Sequence, residues 1–389
     1  MKNKLLLWVL GGVVLYLASA GSSWAVFRYL STTPVGSEIG LKLPAGGGGG
    51  LKIDTSAPKT AVCPVNGGMF TEAEKKVWEE RRPLTVMIEN HQDSRPQSGL
   101  SAADVVYEAV AEGGITRFLA VFYCGAASGE VTIGPVRSAR TYFVDWASEY
   151  GDFPLYVHVG GANLPGLANA LGQIGDYGWL AKRNDFNQFS LGFPVFWRDY
   201  DRLGHEVATE HTMYSSTGKL WEVAEKRGLG ATDDKGSRWD KNFVSWKFKE
   251  ELSADKRGET NRITLDFMGD YADYQVEWQY DQAANSYKRF NGGQPHKDLN
   301  NDMQLEAKNV VVIFMLEKGP IDELKHLLYG TTGRGKALVF QDGKGVEAVW
   351  QKAKRVSRTL FSDTKGKEIA FNRGPIWIEV AAVGREINY

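Results

Sequence analysis

The chain has 389 residues, with 46 Lys and Arg against 47 Asp and Glu, so its net charge is only −1. That balance, with no basic run and no zinc-ligand spacing, excludes a general nucleic-acid binder. Hydrophobic residues at 43% are enough for a buried core, while two cysteines are too few for a disulfide scaffold or a cysteine-based metal cluster.

The amino terminus sets the address. Lys2 and Lys4 precede an uncharged run from Leu5 to Phe27, closed by Arg28, which is long enough to cross a bilayer. The lysines predict a single-pass anchor over residues 1–30, with its amino terminus cytoplasmic and all that follows extracytoplasmic. Ala18-Ser19-Ala20 offers a competing reading as a cleaved signal peptide. Residues 31–62, which include five consecutive glycines from Gly46 to Gly50, read as an unstructured linker. Such a linker reaches about 30 Å, holding the exported part near the membrane. Cys63 and Cys124 read there as one disulfide, with two unpaired thiols as the alternative.

From residue 63 to 231 the pattern alternates. Arg82 to Asn90, Asp104 to Glu112, Thr116 to Cys124 and Pro154 to Val159 read as strands, the second and third forming a hairpin across Gly113-Gly114. Tyr142 to Tyr150, Leu164 to Ile174 and Ser216 to Arg227 read as helices, the last with Ser216 as N-cap. The charged stretch 232–262 is expected to be a connector. Beyond it, short runs at Ile263 to Phe267, Tyr274 to Tyr280, Val310 to Leu316, Ala337 to Phe340, Val346 to Gln351, Glu368 to Phe371 and Ile376 to Val380 predict strands. The expected architecture is an α/β (α+β) N-terminal domain with a central mixed sheet at 63–231, then a smaller, mostly antiparallel β domain at 263–389.

The candidate site is the loop I-G-P-V-R-S-A-R, which sets Arg137 and Arg140 three residues apart beside Ser138. Guanidinium groups are planar, permanently charged donors suited to phosphate or carboxylate. Arg117 at a strand entrance, with Asn90 and Asn163 on neighbouring loops, completes the expected ligand set. Alternation along the second strand puts Asp104, Glu108 and Glu112 on one face. With Asp145 they are the acidic groups that would balance the arginines or hold a metal.

Other motifs carry less. The aromatic stretch Phe186 to Tyr200 suits either a sugar- or lipid-facing loop or its own core. His205 and His211 lack the spacing of a helical zinc pair, and His91 reads as a loop-holding residue. Gly333-x-Gly335-Lys336 is too short for a phosphate loop and is expected to be a turn. No metal or cofactor is expected.

Several motifs together resemble the YerB-type lipoproteins, a family of extracytoplasmic proteins made of two regions of unknown function. They are I-E-N-H-x-x-S-R-P-Q-S-G-L at Ile88 to Leu100, A-D-V-V-Y-E at Ala103 to Glu108, E-G-G-I-T-R-F at Glu112 to Phe118 and I-G-P-V-R-S-A-R at Ile133 to Arg140. G-x-G-K-A-L-V-F-Q-D-G at Gly333 to Gly343, W-x-K at Trp350 and G-P-I-W-I at Gly374 follow. The resemblance covers about 80–385 and implies fold and address. It departs at the lipobox, because no cysteine precedes Cys63. The order of the arginine elements is also similar in layout to the LytR-CpsA-Psr phosphotransferases, which hold a polyprenyl pyrophosphate with arginines and magnesium. The expected function is a membrane-tethered envelope protein binding an anionic lipid-linked glycan precursor, glycan or peptide without catalysis. A magnesium-dependent phosphotransferase with Asp104 or Glu108 on the metal, and a scaffold for an envelope protein, are the alternatives.

Overall fold

A ten-stranded mixed sheet organises the protein, seen in a computed structural model that describes residues 53–389 apart from Asp270. Its strands in chain order are β1 (Leu84–Glu89), β2 (Val105–Glu112), β3 (Ile115–Phe122), β4 (Leu155–His158), β5 (Asp185–Asn187), β6 (Asn309–Met315), β7 (Gly333–Gln341), β8 (Lys344–Lys352), β9 (Leu360–Asp363) and β10 (Ile376–Ala382). Across the sheet they run β9-β8-β7-β6-β10-β2-β3-β1-β4-β5. The expected anchor and residues 31–52 of the expected linker lie outside the described residues, while Ala61–Val62 at the end of that linker pair with Met69–Phe70. Among the described residues no helix is long and apolar enough to cross a membrane.

The centre of the sheet is built from both ends of the chain. β2 and β3 form the expected hairpin, from Val105↔Val121 to Glu112↔Ile115. On its other edge β2 lies parallel to β10, from Ile376↔Val105 to Glu379↔Glu108. β10 is also parallel to β6, so the carboxyl-terminal region supplies parallel as well as antiparallel pairings. All of β2 except Glu112 is buried, because both faces of the sheet are covered. On one face Tyr107 stacks on Trp146 of the helix Thr141–Ala147, with ring centroids 5.7 Å apart. On the other, a small antiparallel sheet that includes Arg262–Leu265, Val276–Asp281 and Ser286–Asn291 packs Trp278 on Trp377 at 5.3 Å. Burying an aromatic side chain of this kind stabilises by about 2–3 kcal/mol.

Details depart from the sequence reading where side-chain pattern is a weak guide. The helix read over Leu164 to Ile174 begins only at Ala170, because Pro165 and Gly166 break its first turns, and Asn169 caps it. The run Glu368 to Phe371 contributes only Phe371–Asn372, which pairs with Phe248–Lys249. Ser286–Asn291 and Leu360–Asp363 are strands with polar faces that the pattern did not reveal. Gly333 to Lys336, read as a turn, is the first part of β7. In the charged stretch 232–262, Trp239 and Trp246 are buried, against Tyr123 at 5.1 Å and Phe371 at 5.3 Å respectively.

Cys63 and Cys124 form a disulfide, tying the incoming chain to the end of β3. The loop beside it is pinned by Asp104, whose carboxylate accepts from the backbone N–H groups of Tyr123, Cys124 and Gly125 and from Asn66 Nδ2 at 2.7–3.0 Å.

Candidate functional site

The arginine loop closes over the carboxyl ends of β1 and β4, strands that lie parallel to one another. Its backbone is stitched to both: Arg137 N–H donates to Met87 O, and the Val159 and Ala139 amides exchange bonds with Arg137 O and Gly160 O. Open sheets place ligands at this kind of strand end. The segment after β4 turns at Gly160 (φ 56°), where an added Cβ would lie 3.0 Å from the Phe189 ring. Asn163 is exposed on that loop.

The three arginines divide into two environments. Arg117 and Arg140 are buried and converge on Glu112: Arg117 Nη2 donates to Oε1 at 2.8 Å, and Arg140 donates through Nε to Oε2 at 2.9 Å and Nη2 to Oε1 at 2.7 Å. Arg117 also donates to Ser138 O and Arg140 to Ala139 O, so the two guanidinium groups brace the loop backbone. Burial alone would raise the Glu112 carboxyl, but Arg117 and Arg140 outweigh it and hold it at about 2. Arg137 is different, because its side chain remains 24% exposed while its Nε lies 3.0 Å from Glu89 Oε1.

Glu89 joins a fourth element to the site. Its other oxygen takes Nδ1 of His211 at 2.9 Å, and this bond raises the His211 pKa against the opposing effect of burial. His211 stacks on His91, with ring centroids 4.8 Å apart and an 18° tilt. Three guanidinium groups therefore share two carboxylates, with an imidazole pair beside the exposed one. The sequence reading named the arginines but placed neither Glu89 nor His211 with them. Glu89 stands immediately before Asn90 in the I-E-N-H motif, while the 122-residue separation of the pair leaves no local signal.

The other expected acids face elsewhere. Glu108 does not meet the loop arginines; it is fully buried, bound to Arg289, to Thr116 Oγ1 at 2.7 Å and to Asn90 Nδ2 at 3.2 Å. Asn90 Oδ1 accepts from Arg95 and Gln97, so Asn90 organises the loop after β1 from inside. Asp104 sits in its backbone cage beside the disulfide, where burial pushes its pKa up to about 7 against the opposing amide bonds. Asp145 accepts from Gln173 Nε2, Tyr177 OH and Thr331 Oγ1 at 2.6–2.8 Å. An ion held by Asp104 or Glu108 would have to displace these bonds, at a cost of about 1–3 kcal/mol for each buried group left unpaired.

His91, Asp93 and His211 bring one potential metal-ligating atom each within 4.8 Å, but the nearly parallel rings do not aim their lone pairs at one point. The sulfurs beside Asp104 are bonded to each other and offer no thiolate. His158 engages Gly160 O and Asp185 Oδ1, each at 2.6 Å, so neither ring nitrogen is open to a reacting group. His205 is exposed and touches only Leu203 O. Around the cleft, Leu164, Leu167, Phe189 and Phe193 are 50–77% exposed, whereas Phe186 and Phe196 of the same aromatic stretch are core.

The fold and this loop define a two-region protein built about one mixed sheet. Residues 68–230 match the N-terminal domain, and residues 263–378 the C-terminal domain, of a protein family of unknown function, DUF3048. The chain belongs to that family. It is 30% identical over 327 residues to YerB of Bacillus subtilis strain 168, a protein described as a lipoprotein, covering 79% of this chain and 83% of that one. The crystal structure of YerB protein from Bacillus subtilis superposes with a TM-score of 0.67 at 28% identity, covering 85% of this chain and all of the other.

Proposed function

We propose that the protein is a membrane-associated, extracytoplasmic binding protein. It takes an anionic envelope component, such as a lipid-linked glycan precursor, glycan or peptide, at the cleft over the carboxyl ends of β1 and β4. The observation that carries this reading is the open guanidinium: Arg117 and Arg140 are committed to Glu112, while Arg137, beside Glu89 and Glu210, keeps 24% of its side chain exposed at the mouth of the loop. Arg137 would contact the anion, with Ser138 and Asn163 at the rim, while Arg117 and Arg140 hold the loop in shape. Exposed Leu164, Leu167 and Phe189 beside it suit the apolar part of an amphiphile. The extracytoplasmic address follows the lipoprotein relative and the apolar run at Leu5 to Phe27.

Binding without catalysis fits the engagement of the candidate bases: both oxygens of Glu89 and both nitrogens of His158 are already bonded. The magnesium-dependent phosphotransferase reading gains no support from Asp104 and Glu108, which are turned inward. A scaffold for an envelope protein remains the reading to adopt if no small anion binds.

The test is thermal stability of residues 53–389 with a short-chain polyprenyl pyrophosphate, with and without magnesium. Ligand at about a hundredfold excess over Kd should stabilise wild type by about 2.7 kcal/mol. That gain should vanish in Arg137→Ala, whose unliganded stability should stay near wild type. Turnover of the probe, or a shift unchanged by Arg137→Ala, would sink this reading.

A further inference from the structure

The motif Gly333-x-Gly335-Lys336 has no part in the arginine cleft, yet its Arg334, Gly335 and Lys336 line a separate groove of about 510 Å³. The pairing of β7 explains why a groove is there. Toward β8, β7 is paired along its whole length to Gly333↔Lys352, but toward β6 the ladder stops at Ile313↔Ala337. Beyond that point β6 leads into an excursion closed by Glu317–Lys318 pairing with Leu328–Tyr329, and the sheet splits. Trp350 fills the gap from below, donating its indole N–H to Phe314 O at 2.9 Å. Gly335 permits this, because a Cβ there would lie 2.5 Å from Trp350 Nε1.

Strand alternation puts Phe314 and Leu316 of the β6 chain and Arg334 and Lys336 of β7 on the same face of the sheet. Val383 and Arg385, just past β10, complete the lining. Leu316 is 74% and Val383 61% exposed, and no residue lining the groove is acidic. Arg334 and Lys336 are exposed, and neither forms an ion pair with a described residue. Apolar rim side chains beside unneutralised cations match the interface of a membrane bearing negative charge, where each nearby Lys or Arg adds attraction.

We propose that this groove is a second binding site that seats the head group of an anionic phospholipid. Arg334 and Lys336 hold the phosphate, and Leu316 and Val383 enter the acyl boundary. A lipid is favoured over an acidic peptide because Trp350 already occupies the split in which an added strand would pair. The site is independent of the arginine cleft and shares no lining residue with it.

Residues 53–389 form a compact unit with an extensive core of its own, so this fragment can be assayed without the apolar amino-terminal run. Sedimentation with vesicles of phosphatidylcholine alone, and of phosphatidylcholine with phosphatidylglycerol, reads the binding. Wild type should partition onto the anionic vesicles only, Arg334→Ser/Lys336→Ser should weaken this by tenfold or more, and added salt should weaken it too. Leu316→Ser/Val383→Ser should reduce binding with all charges intact, and circular dichroism should confirm that every variant is folded. The proposal is overturned by equal partition onto both vesicles, by no partition, or by anionic binding that survives both double variants. It is also overturned if binding is lost only in Arg137→Ala, which assigns the lipid to the other cleft, or if the fragment ignores vesicles and instead binds polyglutamate through Arg334 and Lys336.

Discussion

Glu112 shows how one side chain fixes the character of the candidate cleft. It is the carboxylate that two buried guanidinium groups share, so replacing it leaves them facing each other without their common partner. Glu112→Gln should destabilise the protein by about 3 kcal/mol, read by urea unfolding at neutral pH. Its depressed pKa also sets an acid limit. Below its ordinary value of 4.5 the unfolded chain takes up a proton that the folded chain refuses until about 2, so stability falls across that window. The Gln variant should lack this component. His211 acts in the opposite sense, because Glu89 raises its folded pKa above 6.5. Its contribution is complete below 6.5 and is lost as pH rises through the folded value. A His211→Asn variant should lose that slope, and an NMR titration of the imidazole should show protonation persisting above 6.5. His91, Arg137, Glu89 and Glu210 face this ring, and a flat wild-type profile would mean that Arg137 and His91 cancel the carboxylate.

At the scale of elements, segments whose burial follows a simple rule were legible in the sequence. The β2–β3 hairpin was marked by two strand-like runs rich in Val, Ala and Phe about Gly113-Gly114, and the helix Thr217–Lys226 by Ser216, whose hydroxyl caps Lys219 N–H. The small-sheet strand Ser286–Asn291 was hidden because it carries Lys288 and Arg289, and Arg289 is buried against Glu108, 181 residues away, and the rings of Phe118, Trp278 and Trp377. The same limit applied to the site: Arg137 was visible from its motif, while its partner Glu89 looked like the polar end of a strand. Alternation predicted Glu108 and Glu112 on one face, but a register shift between Val110 and Glu112 breaks it: Glu112 stands opposite Ile115 and meets Arg117, whereas Glu108 stands opposite Phe118 and meets Arg289 on the other face. The disulfide closes a 61-residue separation, so Cys63→Ser/Cys124→Ser should cost about 4 kcal/mol by loop entropy. A denaturation midpoint equal to wild type would show that the reduced chain keeps its ends together by packing alone.

For the whole molecule, the decisive junction is the parallel pairing of β10 with β2. Residues 53–231 expressed alone would expose β2 along one edge, leave Glu108 without Arg289, and leave Glu149 without Lys352, which it meets at 2.6 Å. That fragment should aggregate or stay unfolded by circular dichroism and gel filtration, and residues 232–389 supplied with it should restore a soluble complex. A monomeric, cooperatively melting amino-terminal fragment would refute this. The junction also bears on how the protein comes into being. A chain synthesised amino terminus first presents β2 and β3 early, but the strand that must lie on the other edge of β2 is among the last to emerge. Until then the middle of the future sheet has an open apolar flank, so safe folding depends on the pace of synthesis and on whatever shields that flank during the wait.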